Sequence, residues 1–114
     1  MSAQTVSFVG SLVRQNRSLM SVFEEHLKDQ DGEVLPHLFM ADVERWAEGA
    51  LTTSPEAVKR VLVCIEDEYN GPDDAVREVI AASFLEHLPR PGNPCAELRE
   101  LLGPACTAKL QDFG

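Results

Sequence analysis

The chain has 114 residues, with 10 lysines and arginines against 19 aspartates and glutamates, a formal charge of -9, and 44% hydrophobic residues. That length suffices for one hydrophobic core without disulfides or metals and leaves too little chain for two, so residues 1–114 read as a single helical domain. The acidic balance argues against direct binding of nucleic acid or of an anionic membrane, because both need clustered Lys and Arg.

Punctuation divides the chain into five or six helical pieces, with no alternating β-branched run that would make a strand. The first piece runs from about Ala3 to Lys28, with Leu12, Leu19, Val22, Phe23 and Leu27 as apolar positions and a break near Gly10 or Asn16. It ends at Asp29-Gln30-Asp31-Gly32, where Gly32 can take positive φ after the last turn. A second helix starts near Pro36, a residue suited to a first turn, and reaches about Gly49. The third has the clearest start: Ser54 as N-cap, Pro55 at the first position and Glu56 near the positive end of the dipole. Its middle, Val61-Leu62-Val63-Cys64-Ile65, is apolar on nearly every side, which predicts a helix at the centre of the bundle. It stops at Asn70-Gly71-Pro72. A fourth helix follows from Asp73 or Asp74 to Leu88, closed by the stiff loop Pro89-Arg90-Pro91-Gly92-Asn93-Pro94. Short helices near Cys95–Leu102 and Ala105–Asp112, separated by Gly103-Pro104, complete an all-α fold. Helices of this length joined by short connections make an irregular antiparallel bundle or a short HEAT-like array.

No Lys or Arg precedes the apolar positions Val6, Phe8 and Val9, so a secretory leader is not expected. No run approaches the ~20 apolar residues of a membrane helix. Cys64, Cys95 and Cys106 are odd in number and form no C-x-x-C pair, which fits free thiols in a reducing cytoplasm; spacing alone leaves a Cys95–Cys106 bridge open.

The charge is localised. Residues 1–30 sum to zero, so all the excess lies in 31–114. Residues 66–78 hold Glu66, Asp67, Glu68, Asp73, Asp74 and Glu78 against Arg77 alone, at the junction of the third and fourth helices. Asp73 and Asp74 have a local explanation, since acids near a helix N-terminus are worth roughly 0.3–1 kcal/mol each. Glu66, Asp67 and Glu68 sit at the unfavourable end of a helix and lack that explanation. They imply either a solvated face or an electrostatic docking surface for a basic protein, with the carboxylates sharing one edge of the molecule.

At 100° per residue, Leu35, Phe39, Trp46 and Ala50 form one stripe of the second helix, with Asp42 in its middle. A carboxylate there needs partners, such as Arg45, Arg14 or Arg17 or a helix terminus; otherwise it lines a cleft beside Trp46. In the fourth helix, Ser83 and His87 share a face with Val76, Val79, Ile80 and Phe84, so a buried Asp42–His87 pair is conceivable, as is a His87 that simply ends its helix. Catalytic and metal templates are missing: His26, His37 and His87 fit no H-E-x-x-H or di-iron spacing, and there is no phosphate loop, zinc spacing or calcium loop. We therefore expect no enzyme, no metal and no cofactor.

The stretch Leu35-Pro36-His37-Leu38-Phe39-Met40-Ala41-Asp42-Val43-Glu44-Arg45-Trp46, with Ser83-Phe84-Leu85-Glu86 and Leu101-Leu102-Gly103-Pro104, resembles a family of small helical bacterial proteins known only as an uncharacterised domain. The resemblance spans the chain from about residue 20. Such proteins are similar to the immunity partners of polymorphic toxins in size, acidity and helical content, and the resemblance transfers no binding residue.

Three expectations follow. The first is a non-catalytic protein-binding module, an immunity protein being one form, that covers a basic partner such as a toxin through Glu66, Asp67, Glu68, Asp73, Asp74 and Glu78. The second is a small-molecule or enzymatic cleft around Asp42, Trp46 and His87. The third is a nucleic-acid mimic, for which one 13-residue cluster is too small a surface.

Overall fold

A computed structural model describes residues 3–113. Among them there are six α-helices and three short 3-10 helices, and no strand. The α-helices are α1 (Ala3–Gln15), α2 (Met20–Asp29), α3 (Pro36–Ala50), α4 (Pro55–Tyr69), α5 (Asp74–Ser83) and α6 (Pro104–Gln111). The 3-10 helices are Arg17–Leu19, Leu85–His87 and Ala96–Leu101.

The expected first helix breaks at Asn16, not at Gly10. The Asn16 amide donates to the Leu12 carbonyl at 2.9 Å, so the side chain takes the acceptor that a continuing helix would use for the backbone. The chain leaves α2 through two left-handed residues, Asp31 at φ 53° and Gly32 at φ 84°, and the Gly32 N–H closes the end on the Leu27 carbonyl at 2.7 Å. Prolines stand in the first turn of α3, α4 and α6, where the missing N–H costs nothing. Ser54 precedes α4 as expected, but its side chain makes no capping bond. Asp73 does cap: its Oδ1 accepts the Val76 N–H at 3.0 Å.

The expected fourth helix is shorter than its apolar pattern implies. It leaves α-geometry at Phe84 (φ -120°, ψ -61°) and continues as the 3-10 turn Leu85–His87.

One continuous apolar cluster joins Phe8, Val9 and Leu12 of α1, Phe39, Met40 and Val43 of α3, Val58, Val61, Leu62 and Ile65 of α4, and Val76, Val79 and Ile80 of α5, with Phe84 beyond it. Phe39 and Phe84 are both fully buried, each stabilising the fold by roughly 1.5–3 kcal/mol relative to an exposed ring. The hub is α5, which packs against α1, α3, α4 and α6. The expected third helix, α4, packs against four helices as well, α1, α3, α5 and α6, so it shares the centre with α5 but is not enclosed on every side. In α4 the buried positions are Ala57, Val58, Val61, Leu62 and Ile65, a single stripe, while Val63 is 59% exposed on the other side. A continuous apolar run does not imply burial all round when its outermost residue meets no neighbour. The molecule is 20 Å through its short axis, about two helix diameters, so most helices keep one face in solvent.

Candidate functional site

The six acidic residues of 66–78 divide by their work. Glu66 turns inward. Its carboxylate accepts the backbone N–H groups of Ala105 at 2.9 Å and Cys106 at 3.0 Å, the free donors of the first turn of α6. The Asn70 side-chain amide adds a third bond at 2.9 Å. Burial opposes the charge on Glu66, but the N–H donors of Cys106 and Ala105 and the Asn70 amide outweigh it, and the carboxyl is held below its ordinary range. The expectation that local structure cannot explain Glu66 is therefore corrected: it caps a helix 39 residues downstream, too far along the chain to be seen as a cap.

Arg77, the only base among these acids, ties the turn between the two helices. Its guanidinium donates to the Gly71 carbonyl and the Asp74 carboxylate, with a longer contact to the Pro72 carbonyl at 3.4 Å. Asp73 is half-buried as the N-cap of α5, and the Asp74 side chain is 96% exposed. Asp67 and Glu78 are exposed, and Glu68 is half-buried beside Asp73 and Arg14 in an open cleft against α1. Consecutive residues on a helix diverge by about 100°, so Glu66, Asp67 and Glu68 fan out instead of sharing one edge. One leads to α6 and one to α1, with Asp67 between them facing solvent.

Asp42 is not at the centre of the buried stripe of α3. The buried residues there are Pro36, Phe39, Met40, Val43, Glu44, Ala47 and Ala50, a stripe rotated by about one residue from the expected one. Asp42 and Trp46 thus lie at its half-buried edge. The Asp42 carboxylate pairs with Arg45, the partner foreseen, and its Oδ2 lies 3.6 Å from Nδ1 of His26, a partner not foreseen. His26 is buried at 1% exposure and stacks edge-on against Phe39. Its Nε2 accepts the Leu35 N–H at 3.1 Å, just ahead of α3. An Nε2 that accepts leaves the proton on Nδ1, facing Asp42. At 3.6 Å His26 Nδ1 makes no hydrogen bond to Asp42, and the nitrogen that would serve a nucleophile is occupied by a backbone amide, so the pair is not a catalytic Asp–His dyad.

His87 is exposed, and the conceivable Asp42–His87 pair does not form. The Ser83 hydroxyl is instead hydrogen-bonded to Nδ1 of His37, joining α5 to α3. Two surface clefts, one beside Leu85 and Leu88 against α6 and the other between α1 and the α4–α5 turn, are lined by residues other than Asp42, Trp46 and His87.

Glu44 was missed by pattern reading. It is 3% exposed, its Oε2 has no hydrogen-bond partner, and burial together with the neighbouring Glu48 pushes its carboxyl up to about 8. Its position between Met40 and Ala47 on the rotated stripe was the available signal. Cys64, Cys95 and Cys106 carry no disulfide, which corrects the open Cys95–Cys106 alternative. Among the described residues no group of three His, Cys, Asp or Glu side chains comes together as a metal site, and no helix is long and apolar enough to cross a membrane.

Residues 9–112 match the family described as Domain of unknown function (DUF7674). The chain belongs to the DUF7674 family. The match begins within α1 and runs past the end of α6, so the DUF7674 domain includes the N-terminal helix, earlier than the start near residue 20 expected from the resemblance. It also contains both partners of the Glu66 cap and of the His26–Asp42 pair. No curated protein and no solved structure matches the chain.

Proposed function

We propose that this DUF7674 domain is a non-catalytic binding module that docks a basic protein through the outer face of α4 and the turn that follows. The observation that carries this reading is Val63. It is 59% exposed and stands one helical turn before the exposed Asp67, so an apolar side chain and an unpaired carboxylate share one stripe. Protein interfaces combine an apolar centre with a charged rim in this way. Glu78, exposed on α5, adds negative charge beyond the turn, while Glu66 is withdrawn, Asp73 is engaged as a cap, Asp74 is paired with Arg77 and Glu68 turns toward α1. One turn before Val63 the face carries exposed Lys59, paired with Glu56, and exposed Arg60, so the negative sign belongs to the Asp67 end, which accelerates encounter with basic partners and disfavours acidic ones. Immunity toward a basic toxin in a bacterial cytoplasm is one form of the same reading.

The test is capture of the partner from the native host, followed by titration of the purified pair. The expected partner is basic, with affinity falling as salt rises. Val63→Lys and Asp67→Lys each weaken it at least about tenfold, the equivalent of about 1.4 kcal/mol. Unchanged affinity in both variants overturns the reading. The engaged Asp42 carboxylate leaves the alternative cleft around Asp42, Trp46 and His87 without support.

A further inference from the structure

Away from the acidic turn, a cleft of about 450 Å³ opens between the 3-10 turn Leu85–His87, the proline loop after it and α6. Its size lies within the range of small-molecule sites, roughly 300–1,000 Å³. Leu88, Leu110 and Phe113 supply its apolar lining, Thr107 a hydroxyl, and Arg90 and Arg99 its positive charge. Among the described residues of the lining Glu86 is the one acid against two arginines, on a chain whose total charge is -9.

Arg45, Arg77, Lys59 and Lys109 each pair with a carboxylate within one turn. Among the described residues six bases join no ion pair, Arg14, Arg17, Lys28, Arg60, Arg90 and Arg99, and the last two of these line this cleft. Arg99 is also held in place: its Nε–H donates to the Pro89 carbonyl at 2.6 Å, which orients the guanidinium and leaves its terminal nitrogens free of that bond. Pro89 and Pro91 fix φ on either side of Arg90 and stiffen the segment that carries it. Phe113 is 38% exposed, and Lys109 Nζ, paired with Asp112, stands 5.7 Å from its ring centre.

Two unpaired guanidiniums over an apolar floor suit a ligand with the opposite arrangement, a planar anion on a short apolar body. Forked N–H donors bind carboxylates in pairs of parallel hydrogen bonds. We propose that this cleft is a binding site for a small organic carboxylate with an aliphatic or aromatic body, its carboxylate between Arg90 and Arg99 and its body against Leu88, Leu110 and Phe113. The site is separate from the α4 face and stands or falls independently of it.

Octanoate is the probe, with 1-octanol, octyl phosphate and acetate as comparisons, followed by amide chemical shifts of the full chain. Octanoate is expected to move the amides of Thr107, Leu110 and Gln111 saturably. Octanol is expected to bind at least about tenfold more weakly, and acetate not measurably. Arg90→Gln lowers octanoate affinity toward that of octanol and leaves octanol unchanged. Within the fold Arg90 is hydrogen-bonded only through its backbone carbonyl, which accepts the Asn93 N–H and is kept in Arg90→Gln, so this variant keeps the test usable if Arg99→Gln, which loses the Pro89 bond, unfolds. Equal affinity for octanoate and octanol, saturable shifts elsewhere on the molecule, no saturable shift at all, or an unaffected Arg90→Gln variant each overturns the proposal. Tighter binding of octyl phosphate than of octanoate overturns the assignment to carboxylates.

Discussion

Glu66 and Gly103 are in such close approach that a methyl group on Gly103 would lie 2.4 Å from Cγ of Glu66 and 2.6 Å from its Oε1. Gly103 has φ -74°, an angle open to any residue, so glycine is required here for space. The Glu66 side chain can retreat from a larger residue only by giving up the Ala105 and Cys106 amides. Gly103→Ala should therefore cost about 1 kcal/mol or more in urea unfolding, and Glu66→Ala about 1–3 kcal/mol. Because both act through one cap, the Gly103→Ala penalty should nearly vanish in a Glu66→Ala background. Additive losses would show that the two residues act separately.

The same cap sets an acid limit. The Glu66 carboxyl titrates below its ordinary range in the fold, so between the folded and unfolded values the unfolded chain binds more protons. The cap's contribution is present above about pH 4.5 and is lost as pH falls through the folded value. Unfolding free energy measured from pH 3 to 6 should fall less steeply on the acid side in Glu66→Gln than in the parent.

Glu44 gives the opposite slope. With a carboxyl near 8 in the fold and 4.5 as its ordinary value, the unfolded chain releases its proton first, and stability declines as pH rises from about 4.5 to 8. Glu44→Gln removes the titrating group and should flatten that decline. At pH 8 it should be more stable than the parent by on the order of 1 kcal/mol or more. A parent whose stability is constant from pH 5 to 8 would refute this account of Glu44.

His26 and Asp42 should differ in weight although they face each other. His26 is buried, accepts the Leu35 N–H and packs on Phe39, so His26→Ala should cost about 2–4 kcal/mol. The Asp42 side chain is 30% exposed and Arg45 is 67% exposed, so Asp42→Ala should cost about 1 kcal/mol or less. Thermal melts of the two variants decide the order.

The thiols should separate by reactivity. Burial, then the hydrogen bond and charge of Glu66, pushes Cys106 up to about 12, which suppresses the thiolate that reacts. In native protein Cys106 should be alkylated by iodoacetamide more slowly than the half-buried Cys64, and at an ordinary rate once unfolded. Mass mapping of the modified peptides reads this directly.

Helix starts were legible because their signals are local. Pro36, Pro55 and Asp73 act within one turn of their own positions, and Asn16 breaks its helix through a bond to a carbonyl four residues back. The early end of α5 at Ser83 was not, since neither glycine nor proline stands there. The open face of α4 was hidden because Val63 and the buried Val61 look alike in a run of apolar residues. In the acidic turn, composition correctly located the charge but not its directions, which depend on α6 arriving beside Glu66. The His26–Asp42 pair was hidden for a similar reason: it joins two helices across a turn, and the hydrophobic pattern placed Asp42 one residue too close to the centre.

The hub position of α5 bears on how the molecule is made. During synthesis α1, α3 and α4 emerge first and carry apolar stripes whose common partner ends only at Ser83. Before that residue has left the ribosome α1, α3 and α4 have only one another to pack on, and their stripes are fully covered once α5 joins them, so the core closes in the last third of the chain.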